Sequence, residues 1–118
     1  MTVNDIKNLL EAKILCGEEH IDREVHTACG SDMMSDVLAY VKDQAVLLTG
    51  LVNSQVIRTA EMMDMKCIVF VRSKNPTAEM ISLAQESGIV LLASSKRLYE
   101  ACGILYSNGL VGNRVKNV

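Results

Sequence analysis

The 118-residue sequence has no tryptophan, one proline and one phenylalanine, Phe70; its only other aromatic residues are Tyr40, Tyr99 and Tyr106. With 49% of its residues apolar, it needs an aliphatic core, with seven methionines to fill gaps, a composition that suits helices packed on a sheet. Excess positive charge is also missing. A formal net charge of -2 argues against a nucleic-acid surface, which requires clustered Lys and Arg to neutralise phosphates. No apolar run approaches the roughly 20 residues that cross a bilayer, so no membrane partner is expected. Asn4, Asp5 and Lys7 interrupt the first apolar stretch, which rules out reading it as a secretory leader and makes a cytoplasmic location the expectation. In that compartment the scattered Cys16, Cys29, Cys67 and Cys102 are expected to be reduced thiols, most of them small core residues.

What is present is a regular alternation. Thr2 and Asp5 cap a first short helix over "IKNLLEA", then "KILCG" and "REVHTACG" read as strands on either side of the acidic loop "EEHID". "SDMMSDVLAYVKD" follows as a second helix, capped by Ser31 or Asp32, with Met34, Val37, Leu38 and Val41 at helical spacing. The apolar runs "AVLLTG", "CIVFVR" and "IVLLAS" then begin at Ala45, Cys67 and Ile89, 22 residues apart each time, and each leads through a polar loop into a helical stretch. The expected helices run over 54–63, 77–87 and 95–106. Their caps are read as Asn53 or Ser54, Asn75 ahead of Pro76, and Ser94 or Ser95, with helix ends at Gly88 and at the "NG" of Asn108. Short unalternating strands interleaved with helices are the pattern of a parallel sheet covered on both faces. The expectation is a three-layer α/β/α sandwich with a mainly parallel central sheet, one domain over residues 1–110 and a polar tail over 111–118.

In such a sheet the loops after the strands gather at the carboxyl edge, where the following helices point their amino ends. Three loops meet there: "GLVNSQ", "RSKNPT" and "SSKR". Free amides and helix dipoles favour an anion at that edge. The candidate ligand-binding residues are Gly50, Asn53, Ser54, Arg72, Ser73, Lys74, Ser94, Ser95, Lys96 and Arg97. A nucleotide or other phosphorylated metabolite is the ligand they suggest; capping residues and solvated cations are the plainer reading, and a single glycine at Gly50 is far from a P-loop.

Other chemistry is thinly represented. Cys16, His20, His26 and Cys29 line up as C-x3-H-x5-H-x2-C, but zinc ligands usually pair two to four apart at each end of a loop, and an ordinary hairpin is expected instead of a metal site. His26 on a predicted strand and His20 in an acidic loop have no nucleophile near them in sequence. The carboxylate pairs Glu18/Glu19 and Asp22/Glu24 read as solvated surface. No catalytic residue, metal or cofactor is assigned. Met33, Met34, Met62, Met63 and Met65 suit either core or a subunit interface.

From "IKNLLEAKILCGEEHIDREV" through "AVLLTG" to "SSKRLYEACGIL", the chain resembles the DRTGG domain, a small α/β module similar to the amino-terminal domain of HPr kinase/phosphorylase. The likeness rests on "DREV" after the first strand, a glycine closing the third, a proline before the next helix and an aromatic-containing last helix. The signature itself is replaced. Where the family tends to carry Asp-Arg after the third strand's glycine, this chain has Leu51, Val52 and Asn53; where it carries Thr-Gly-Gly ahead of the proline, this chain has Val71, Arg72 and Ser73. A position often acidic in relatives is Arg97. The resemblance implies a non-catalytic regulatory module, such as the accessory parts of phosphotransacetylases and CBS-domain pyrophosphatases. It further implies a homodimer, and a stand-alone domain of this kind usually serves a protein encoded nearby.

Overall fold

The computed structural model describes residues 1–40 and 44–112. The expected helical residues Val41, Lys42 and Asp43 lie outside them, as does most of the expected tail.

The element order is α1 (Val3–Leu9), β1 (Lys13–Cys16), β2 (Thr27–Gly30), α2 (Met34–Tyr40), β3 (Ala45–Thr49), α3 (Ser54–Met62), β4 (Cys67–Phe70), α4 (Ala78–Ser87), β5 (Val90–Ala93) and α5 (Leu98–Ser107), with a short 3-10 turn at Glu18–His20. The five strands form one sheet in the order β1-β5-β4-β3-β2. Strands β2 to β5 are parallel, and β1 alone runs antiparallel, against β5.

Every residue of β3, β4 and β5 is buried, which is why their apolar runs show no polar alternation. Alternate side chains still go to opposite faces. Leu47, Ile68, Phe70 and Leu91 pack with Met34 and Val37 of α2, Val56, Ile57 and Ala60 of α3, and Met80 and Ala84 of α4. On the other face Val46, Leu48, Val69, Val90 and Leu92 pack with Val3 and Ile6 of α1 and Ala101 and Leu105 of α5. This is the three-layer sandwich with a mainly parallel sheet that the sequence leads one to expect.

Local signals explain most element ends. Thr2 and Asp5 form a reciprocal capping box on α1, and Gly88 ends α4 in the left-handed conformation at φ 70°. The expected hairpin between Cys16 and Cys29 does not form. Strand β1 takes the free edge of β5, so the two strands occupy opposite edges of the sheet, and residues 17–26 cross beneath its amino side. Strand β2 is correspondingly short, and His26 precedes it. The crossing segment is fastened by Arg23, whose guanidinium donates to the carbonyls of Lys66 (3.3 Å) and Gly88 (2.8 Å), the residues leading into β4 and β5.

Two helix starts also differ from expectation. Thr77, two residues beyond Asn75, caps α4 by accepting from the Met80 amide at 3.2 Å. Helix α5 begins only at Leu98, because Ser94 Oγ turns the chain by accepting from the Lys96 amide at 3.2 Å, leaving Arg97 as the N-cap.

Candidate functional site

Four loops meet at the carboxyl edge of the parallel strands: those after β2, β3, β4 and β5. The loop after β4 carries two non-glycine residues in the left-handed region, Arg72 at φ 60° and Ser73 at φ 56°. Both are held there by the neighbouring loop, since the Arg72 amide donates to Lys96 O at 2.9 Å and the Ser73 amide to Ser94 O at 3.1 Å. These are the positions where the family resemblance would place two glycines, the residue type that tolerates positive φ best.

The loop after β2 supplies Asp32, which the sequence suggests only as a helix cap. One carboxylate oxygen accepts from the Gly50 amide at 2.7 Å and from Thr49 Oγ1 at 3.0 Å; the other faces Arg72 Nη2 at 3.5 Å. The Gly50 amide, the Thr49 hydroxyl and the Arg72 charge hold the Asp32 carboxyl below the usual carboxylate range. The Arg72 guanidinium lies directly over Gly50, where an added Cβ would collide with it. Gly50 therefore serves the site by its missing side chain.

The candidate residues divide into structural and accessible groups. Asn53 caps α3 by accepting from the Val56 amide at 3.3 Å, and Ser54 opens that helix's first turn. Ser94 is buried at 2% exposure, and its hydroxyl donates to Leu10 O at 2.7 Å; both Asn53 and Ser94 thus hold the fold. Lys96 reaches Glu11 at 3.9 Å. Arg72, Ser73, Lys74, Ser95 and Arg97 line an open depression of about 600 Å³. Lys74 and Arg97 make no ion pair among the described residues, and both are exposed.

A second depression of about 330 Å³ adjoins the first, sharing Ser73 and Ser95, and is walled by Glu11, Ala12, Lys13, Asn75 and Ala93. Sequence reading missed Glu11 and Lys13 because nothing in it announces that β1 runs backwards along β5. That reversal brings the start of β1 to the carboxyl edge.

The two histidines lie on the other side of the molecule. His20 is in the 3-10 turn beside Glu19, at 3.6 Å, and the His26 amide bonds to Gln44 O just before β3. Neither imidazole stands with the cationic loops. The four cysteines form no disulfide. Burial raises their thiol pKa values, that of Cys67 to about 12, so they are poor nucleophiles. Cys16 and Cys67 are core residues, while Cys29 and Cys102 are half-buried. Among the described residues no group of three or more His, Cys, Asp or Glu side chains could hold a metal, and no helix is long and apolar enough to cross a membrane.

The fold is shared with a known structure. The CBS and DRTGG domains of the regulatory region of Clostridium perfringens pyrophosphatase, complexed with the activator diadenosine tetraphosphate, match with a TM-score of 0.72 at 15% sequence identity. The match covers 88% of this chain and 45% of that one, so the chain spans less than half of that regulatory region. At such identity the likeness establishes the fold. No curated protein matches the sequence. The model of the DRTGG domain matches residues 5–107, and by that match over most of its length the chain belongs to the DRTGG domain family.

Proposed function

We propose that this domain is a non-catalytic regulatory module whose input is a phosphate-bearing ligand held at the carboxyl edge of the sheet. The observation that carries the reading is the depression lined by Arg72, Lys74 and Arg97, with two exposed cations that no carboxylate neutralises among the described residues. Serine hydroxyls from Ser73 and Ser95 complete a lining of donors suited to phosphate oxygens. The nucleotide activator of the clostridial regulatory region, itself a polyphosphate, supports the same ligand class. Neither histidine stands at this edge, and the Asp32 carboxylate there is engaged by the Gly50 amide, Thr49 and Arg72, which favours a binding role over a catalytic one.

The test is calorimetry and thermal melting with tripolyphosphate, ATP and diadenosine tetraphosphate at up to millimolar concentration. Saturating binding raises the melting temperature, and binding that depends on these cations weakens at high salt. The Lys74→Ala/Arg97→Ala double variant should bind at least tenfold more weakly. Unchanged melting with all three ligands would remove the proposal.

We further propose that the module works as a homodimer. Met33, Leu38 and Met62 are large apolar side chains left exposed on α2, its entry and α3, helices that pack side by side. Sedimentation at micromolar concentration should give twice the monomer mass, and monomer alone would refute it.

A further inference from the structure

The two depressions adjoin at Ser73 and Ser95, which line both, yet they differ in chemistry. The first presents three cations. The second presents the Glu11 carboxylate, the Asn75 amide and one ammonium, Lys13, against the methyl groups of Ala12 and Ala93. A ligand filling both needs an anionic end and an uncharged, hydroxyl-bearing end.

Glu11 sets that second requirement. An ionised carboxylate only accepts hydrogen bonds, so its natural partners are hydroxyl or N-H donors, and acidic side chains hold the vicinal hydroxyls of ribose in dinucleotide-binding folds for this reason. Its only ion partner among the described residues, Lys96, is at 3.9 Å, and its side chain is 81% exposed, so lone pairs remain open to a ligand. The same charge repels a second phosphate at that end. Among the described residues no aromatic side chain lines either depression, so they offer no stacking platform of the kind that grips a nucleobase. The amide of Asn75 donates and accepts, again matching hydroxyls.

We propose that the ligand is a phosphorylated sugar, either free or as the ribose phosphate of a nucleotide, with its phosphate on Lys74 and Arg97 and its hydroxyls between Glu11 and Asn75. This rests on the anion site proposed above and adds the class of the molecule.

Titration calorimetry with inorganic phosphate, ribose 5-phosphate and AMP separates the two ideas. Ribose 5-phosphate is expected to bind at least tenfold more tightly than inorganic phosphate. Glu11→Ala and Asn75→Ala, both at exposed positions, should each reduce that advantage several-fold while leaving phosphate affinity unchanged or, for Glu11→Ala, raised. AMP equal to ribose 5-phosphate would identify a free sugar phosphate as the source; AMP tighter than ribose 5-phosphate would identify a nucleotide. Equal binding of phosphate and ribose 5-phosphate overturns the sugar assignment and leaves the anion site standing. AMP binding with no gain for ribose 5-phosphate over phosphate also overturns it, by moving recognition to the base. Binding of none of the three overturns the sugar assignment, and the anion site then stands or falls with the polyphosphates above.

Discussion

Asp32 joins three loops through one carboxylate, and its chemistry makes that junction sensitive to acid. Its pKa is depressed on folding, first by the Gly50 amide and also by Thr49 and Arg72. A depressed carboxylate contributes stability that is present above its unfolded pKa, about 3.9, and lost as pH falls through the lower folded value. Because Asp32 and Arg72 are 43% and 46% exposed, solvent screens their ion pair and the amide bond carries more of the effect. Asp32→Asn should lower stability at pH 7 by about 1 kcal/mol. Urea melts should show the gap closing below about pH 4, where wild-type Asp32 also becomes neutral. A gap that stays constant down to pH 2 would mean that the carboxylate's charge is not involved. From sequence, Asp32 looked like a helix cap following a strand-ending glycine. Its partners Thr49 and Gly50 lie at the end of the neighbouring strand, distant in sequence, so local pattern had no means of finding them.

Helix starts tell the same story at a larger scale. Thr77 is a favourable N-cap on α4, whereas α5 has Arg97 at that position, with no side-chain bond to the first turn. An arginine there forgoes a cap and sets a cation at the positive end of the helix dipole. Arg97→Asp should therefore stabilise the domain by about 1 kcal/mol in thermal or urea unfolding. The same substitution should abolish binding of phosphate-bearing ligands. Opposite signs in the two measurements would mark Arg97 as a residue kept for binding; a loss of stability would show that it supports the fold in another way. The helices themselves were legible because each has apolar residues at helical spacing, and α4 and α5 also have a glycine or asparagine stop. The first residue of α5 was not, since Ser94 spends its hydroxyl on Leu10 and Lys96 rather than on the helix.

For the whole molecule, the repeat of strand, loop and helix was enough to foresee three layers and a mainly parallel sheet. Strand order was not, because adjacency in sequence suggested a hairpin where the chain instead crosses the full width of the sheet. Arg23 secures that crossing from the side opposite the candidate site. Arg23→Ala leaves two carbonyls without their charged donor and should destabilise the domain by about 2 kcal/mol, with ligand affinity unchanged. A large fall in affinity at constant stability would contradict this division of labour.

The reversed first strand has a consequence for how occupancy can be observed. Strand β1 is hydrogen-bonded to β5 alone, so its amides should rank among the sheet's fastest in hydrogen-deuterium exchange. Its start also walls the smaller depression, through Ala12 and Lys13. Filling that depression should slow exchange across Lys13–Cys16 several-fold, while Cys67–Phe70 at the centre of the sheet stays unchanged. This edge strand would thereby act as a built-in reporter of the bound state.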